Sequence, residues 1–321
     1  DPRGHVRLRD ALAQMVRTRR GVAATADDVL ITQGSQMAIY TAARTLLRPG
    51  DRVAVESYGY RPAWEALRAA GAELVPIAVD GRGLVVEALT SVESLRAVYL
   101  TPHHQYPTTV TLAPGRRLAL LELARRRRIA IIEDDYDHDF HFDGRPVLPL
   151  ASADPHGVVL YVGTLSKTLA PGLRVGYAIA PAPVLARMAE YRRHVDHHGD
   201  PVVECAVAEM LEDGEAQRHV RRMRVVYRAR RDALVAALTE HLPDTLSFRV
   251  PAGGMALWAK VVRRGLDPRS WAERALACGV AFAPGEHFSF YRGSRPYVRL
   301  GFARHDPSEL DRAVRAMARA L

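Results

Sequence analysis

The sequence predicts an α/β protein: a large domain with a mainly parallel sheet covered by helices, followed by a smaller C-terminal α+β domain. Three observations carry this reading. Between Leu30 and Pro181, short β-rich runs alternate with helix-like stretches. The runs are continuously apolar, as strands covered on both faces are. Beyond Pro183 the pattern becomes long Arg-, Glu-, Ala- and Leu-rich stretches, and strand-like runs return only near Leu246.

In chain order, strands are expected at residues 29–32, 53–56, 74–77, 97–100, 129–132, 158–162 and 175–179. Each is a short run dominated by β-branched and aliphatic side chains. Helices are expected at residues 36–47, 61–70 and 115–128, between those strands. Residues 183–241 read as helical. Strands at 246–250, 255–262 and 298–303 follow, and a helix at 307–321 closes the chain. The expected division is 1–190 for the large domain, including an N-terminal helix, and 191–321 for linking helices and the small domain. Ligands of open α/β sheets bind at the carboxyl ends of the strands, and the unusual residues fall there.

At 321 residues the chain has room for two domains of about 100–200 residues each. Its 48% hydrophobic and 25% charged content exclude a disordered chain, a collagen and a coiled-coil rod. No run approaches the ~18 uncharged apolar residues of a membrane span, and no basic-then-apolar leader opens the sequence. Two cysteines, Cys205 and Cys278, cannot build a disulfide framework and suit a reducing cytoplasm. The start at Asp1-Pro2-Arg3-Gly4, without methionine, leads us to expect a trimmed N-terminus. The net charge of +9 raises nucleic acid as a partner. The one dense run, Arg125 to Arg128, instead reads as a solvated helix end, where cations are favoured.

Lysine occurs at two positions, Lys167 and Lys260, and the rest of the 45 basic residues are arginine. Arginine serves ion pairs and phosphate contacts but stays protonated and forms no Schiff base. A lysine surviving such a bias is a candidate for amine chemistry. Lys260 reads as the solvent-facing end of a strand. Lys167 lies in Gly163-Thr164-Leu165-Ser166-Lys167-Thr168-Leu169-Ala170-Pro171-Gly172-Leu173-Arg174. There, hydroxyls and an arginine fork form a phosphate-binding set beside the amine. Thr32-Gln33-Gly34-Ser35-Gln36 marks a strand-to-helix turn, with Ser35 expected as N-cap and the helix N-terminus suited to an anion. Ile132-Glu133-Asp134-Asp135-Tyr136-Asp137 closes an apolar strand with acids. One such carboxylate could hold a pyridine nitrogen protonated; a pair could bind a divalent metal. The metal reading lacks a second cluster at matching strand ends.

These segments resemble the fold type I pyridoxal 5'-phosphate (PLP) family, the aspartate aminotransferase superfamily. More narrowly, they are similar to the aminotransferase-like domain of MocR-type regulators within the GntR group. The similar stretches run from Asp1-Pro2-Arg3-Gly4 to Arg299-Leu300-Gly301-Phe302-Ala303, with Pro49-Gly50-Asp51 in support. The resemblance implies a Schiff base between Lys167 and PLP, Asp134 on the pyridine nitrogen and Tyr136 on the phenolic oxygen. It implies Gly34, Ser35, Gln36, Thr164, Ser166 and Arg174 around the phosphate, and Tyr60 stacked on the ring. Tyr106 stands where many members have an asparagine, and Thr109 where they have a glycine, which we read as subgroup character that weakens classical transamination. Arg299 matches the arginine that grips an amino-acid carboxylate.

Two functions follow from the resemblance. One is an effector-sensing domain of a MocR-type regulator that forms Schiff bases with an amino acid or amine. It would reach DNA only through a winged-helix domain absent from this chain. The alternative is a free-standing amino acid aminotransferase. Family members build their sites across a dimer, so a cytoplasmic homodimer is expected. No metal is expected: His138 and His141, and separately His194, His197 and His198, lack a partner cluster at zinc-like spacing. His103 and His104 are expected behind the cofactor. Trp64, Trp258 and Trp271 are expected in packing.

Overall fold

The computed structural model describes residues 1–321. Helix α1 (Val6–Arg20) precedes β1 (Val29–Gln33), α2 (Ser35–Leu46), β2 (Arg52–Glu56), α3 (Arg61–Ala69) and β3 (Glu73–Ile77). A small hairpin of β4 (Val79–Asp80) and β5 (Gly83–Leu84) leads to β6 (Leu95–Leu100), α4 (Pro114–Arg127), β7 (Ala130–Asp135), β8 (Val159–Thr164) and β9 (Val175–Ile179). The strands of the large sheet lie in the order β1-β9-β8-β7-β6-β2-β3. Strand β9 runs against both neighbours, and the other pairings are parallel. Six strands therefore deliver their carboxyl ends to one edge.

The central strands are apolar on both faces because both are covered. On one face Leu30, Val55, Tyr99, Ile132 and Val162 pack with α2, α3 and the next helix, α5 (Ala182–Val195). On the other, α1 and α6 (Pro201–Glu212) cover Ile31, Tyr161 and Tyr177, while α4 covers Val98 and Ile131. Two fully buried arginines tie these layers. Arg20, at the end of α1, donates to the hydroxyls of Tyr161 and Tyr177 (2.7 Å for the latter) and to Asp139 at 3.3 Å. Arg192 of α5 pairs with Asp196 and donates to the backbone carbonyls of Pro2 and Ile31.

The long α7 (Glu215–His241) leads into a second sheet of β10 (Leu246–Phe248), β11 (Ala256–Val261), β12 (Ala283–Pro284) and β13 (Tyr297–Gly301), in the order β10-β11-β13-β12. With α8 (Pro268–Ala277) and α9 (Pro307–Arg319) it encloses a core of Leu234, Leu257, Trp271, Val298 and Phe302. Helix starts are written in the sequence. A proline stands in the first turn of α3, α4, α5, α6, α8 and α9. Asp200, Asp267 and Asp306 cap α6, α8 and α9 through their carboxylates. Arg125, Arg126 and Arg128 are exposed at the end of α4. No helix is long and apolar enough to cross a membrane.

Trp271 is wholly buried, and its indole N–H donates to the Met317 carbonyl at 3.0 Å. Trp271→Ala removes a large side chain and orphans that acceptor. It should cost about 3–5 kcal/mol, read as a lower urea midpoint; a loss below about 1 kcal/mol would contradict this packing.

Candidate active site

The site forms where the carboxyl ends of β1 and β8 flank the start of β9. Gln33 pairs with Val175 and Thr164 with Gly176 across that junction. Gly176 is required there, since a Cβ would lie 2.4 Å from the carbonyl carbon of Gly34. Gly34 is the N-cap of α2, at φ +79°, a conformation glycine tolerates. Ser35, expected as the cap, is instead the first helical residue, so its hydroxyl is free to line the cavity. Arg174 leans over Gly34: its Nη2 donates to the Gln33 carbonyl at 3.3 Å, and a Cβ on Gly34 would sit 2.7 Å from that nitrogen. Around this cup the Ser166 Oγ and Gln36 Oε1 are buried without partners. The first N–H groups of α2 are also free. Backbone N–H groups, hydroxyls and a guanidinium together suit a phosphate.

Alternation along β7 decides what each acid does. Asp134 and Tyr136 face the cavity, and Asp135 points to the opposite face. Tyr99 donates to Asp134 Oδ2 at 2.8 Å, while Asp134 Oδ1 is buried and unpartnered. Burial pushes the Asp134 carboxyl up to about 7, against the lowering effect of the Tyr99 bond. Asp135 is buried too, but His138 and Arg20 outweigh that burial and hold it well below the usual carboxylate range. Glu56, at the end of β2, accepts from the Thr101 N–H at 3.1 Å and its hydroxyl at 2.9 Å. Burial raises its carboxyl to about 7.

Lys167 sits in the turn after β8, exposed to the cavity. Tyr106 forms an aromatic wall, edge-on to Tyr60 at 5.5 Å, Tyr136 at 5.9 Å and Phe288 at 5.6 Å between ring centres. The Arg299 guanidinium lies 4.8 Å above the Tyr106 ring, and its Nε is buried without a partner. Arg299 reaches this place from β13, opposite Trp258 of β11. The Tyr136 hydroxyl donates to the His104 carbonyl at 3.0 Å.

The cavity holds about 540 Å³, within the usual range for small-ligand sites. Every expected contact residue lines it except Gly34, which supports Arg174 from behind. Sequence reasoning missed Thr101, Met255, Arg304 and His305 on the lining, and Tyr99 and Glu56 beneath it. The available signal was position: Glu56 ends an apolar strand, and Tyr99 is the only aromatic in β6. Trp64 and Trp271 are buried, Trp258 stacks on Tyr297 at 5.0 Å, and Lys260 is exposed on β11. His194, His197 and His198 are exposed, whereas His103, His104, His138 and His141 are buried together behind the site.

Comparison with known proteins agrees with this geometry. Residues 1–317 match the family described as aminotransferase class I and II. Aromatic-amino-acid aminotransferase 1 of Thermococcus litoralis is 32% identical over 99% of this chain and 78% of its own length. The probable rhizopine catabolism regulatory protein MocR of Rhizobium meliloti is 33% identical over 99% of this chain. The chain spans only 64% of that regulator. Pyrococcus horikoshii kynurenine aminotransferase, solved with PMP, superposes with a TM-score of 0.92 at 30% identity, over 99% of this chain and 80% of that one. Match, architecture and cavity converge on one conclusion: the chain is a fold type I member of the PLP-dependent class I and II aminotransferase family, homologous to both free-standing aminotransferases and MocR-type regulators.

Proposed function

We propose that this chain binds PLP through Lys167 and captures an amino acid or amine as the effector-sensing domain of a MocR-type regulator. The observation that carries the PLP assignment is Asp134 Oδ1, a buried carboxylate oxygen with no partner on the wall of a cavity that also holds Lys167 and Arg174. An unpaired buried carboxylate is costly unless a ligand supplies the missing donor. A protonated pyridine nitrogen is such a donor. The similarity to MocR supports the regulatory reading, as does Tyr106 in the place of the asparagine. DNA contact would belong to a winged-helix module outside this chain, and the domain would work as a cytoplasmic homodimer.

When bound, PLP supplies an aldehyde that condenses with amines and a ring that draws electron density from the substrate carbon. The residues here divide the rest of the work. Arg174, Ser35, Ser166, Thr164 and the α2 N-terminus, with Gln36 beside them, would hold the phosphate, and Gly34 lets Arg174 approach. Tyr60, with Tyr106 edge-on to it in the wall, would stack on the ring, and Tyr136, whose hydroxyl here donates to the His104 carbonyl, would serve the phenolic oxygen. Arg299 grips the α-carboxylate of the incoming amino acid with its planar fork. Lys167 Nζ, in the same cavity, would take the proton from the substrate's α-carbon. The 78% coverage of an aminotransferase favours a second reading, a free-standing transaminase using the same residues.

Lys167→Ala should abolish the visible absorbance of the PLP-loaded protein and the borohydride-stable label, with the fold retained; persistence of the label at another amine would refute the assignment. Arg299→Ala should weaken amino acids at least tenfold more than the corresponding simple amines, measured by spectral titration. Equal losses for both would remove its carboxylate role.

Asp134 also makes a pH prediction. Its folded value of about 7 lies above the ordinary 3.8. Its protonation therefore stabilises the cofactor-free fold fully below pH 3.8, and that contribution is lost as pH rises through about 7. Cofactor-free Asp134→Asn, which stays neutral, should exceed the parent at pH 8 by on the order of a few kcal/mol. That advantage should shrink towards pH 5, and the same substitution should weaken PLP binding. Identical stability of the two proteins at pH 8 in urea unfolding would be the contrary result.

A further inference from the structure

The buried histidines behind the active site have no part in the chemistry above. His103 and His104 follow β6, and His138 and His141 follow β7, so two stretches far apart in sequence meet at one edge of the sheet. One nitrogen from each of His103, His104 and His141 lies within 4.8 Å of the other two. All three side chains are buried.

Hydrogen bonding selects the tautomers. His103 Nδ1 lies 3.0 Å from the Val147 carbonyl, which can only accept, so that nitrogen carries the proton and Nε2 carries a lone pair. That Nε2 is buried and has no partner. His104 Nδ1 lies 2.9 Å from Asp137 Oδ1, so the carboxylate likewise holds the proton on Nδ1 and frees the lone pair on Nε2. His104 Nε2 accepts from the His141 Nδ1–H at 3.3 Å, so a metal ion would replace this bond, with the His141 proton moving to its other ring nitrogen. Two imidazoles on one tetrahedral zinc, each at about 2.0–2.1 Å, stand about 3.4 Å apart. Ring nitrogens fixed by a backbone carbonyl and a carboxylate are the usual surroundings of metal-binding histidines.

The charges agree with this arrangement. Arg20 serves Asp135 at 4.0 Å and Asp139 at 3.3 Å. Asp137 is buried and meets no arginine or lysine; its only charge partner is the His104 imidazole, and its Oδ2 is unpartnered. A divalent cation on His104 would balance it. Gly253, bridged to His141, keeps the space open: a Cβ there would come within 2.5 Å of His104 Cε1 and Nε2.

We propose that His103 Nε2, His104 Nε2 and His141 Nδ1 form a binding site for a divalent transition-metal ion of the zinc type, oriented by Val147 and Asp137. Imidazole donors suit zinc, and three protein ligands leave a fourth position for a solvent molecule. The ion joins the loop that carries Tyr106 to the segment after β7 and, through the His141–Gly253 bridge, to the approach to β11. The Tyr136 bond to the His104 carbonyl links the ion to the active-site wall. This inference does not depend on the PLP assignment.

The test is zinc binding by the purified protein with its cofactor, after chelator treatment, followed by calorimetry and metal analysis. One zinc per chain is expected, with affinity reduced at least 100-fold in His103→Gln and His141→Gln and about 10–100-fold in Asp137→Asn. His197→Ala with His198→Ala, at the exposed cluster, should bind as the parent does. X-ray absorption of the zinc-loaded parent needs no variant, and should give imidazole nitrogens at about 2.0–2.1 Å. Failure of the parent to take up one equivalent, a sulfur shell near about 2.3 Å, or loss of binding with the surface pair would each overturn the proposal. A protein that fails to hold PLP yet binds zinc this way would sink the functional reading and leave the metal site standing.

Discussion

A buried carboxylate lacking a full set of partners governs this structure. Asp134 sits at the end of β7 with one oxygen held by Tyr99 and the other unpaired. Desolvation leaves it balanced near neutrality rather than firmly ionised. Such a group is tolerated because the surrounding sheet is too well packed to relax around it. Val55, Tyr99, Ile132 and Val162 are all buried beneath helices on that face. The unpaired oxygen lies on the wall of the cavity, where a ligand can reach it.

The neighbouring acid shows how a single pleat divides two tasks. Asp135 differs from Asp134 by one position, yet it meets Tyr161, His138 and Arg20 on the other face. There the charge is compensated and works in assembly, joining the end of α1 to the sheet. The same backbone step therefore separates a carboxylate that meets an arginine and a histidine from one that faces the cavity. The arginine-rich composition serves this division. Arg20 and Arg192 are buried, and both spread their donors over several acceptors on different elements, which a lysine ammonium cannot do in the same geometry.

The active site and the histidine cluster share a wall. Tyr136, in the cavity, donates to the backbone of His104, whose ring belongs to the cluster. Tyr106 is two residues further along the same loop and carries Arg299 over its ring. The loop after β6 therefore faces the cavity with its aromatic and the interior with its imidazoles.

Much of this was legible in the sequence. Apolar runs predicted the strands because a doubly covered sheet demands them. The one lysine placed among hydroxyls and an arginine pointed to the cavity, which the same segment lines because it follows the end of β8. The cap at Ser35 was misplaced by one residue, because the positive φ of Gly34 is set by the close approach of Arg174 and Gly176, which no local pattern records. Tertiary structure alone decided which acids are compensated, that Tyr99 supports Asp134, and that histidines about thirty-five residues apart meet in the interior. Those outcomes depend on strand order and register, and register is a property of the folded sheet rather than of any one segment.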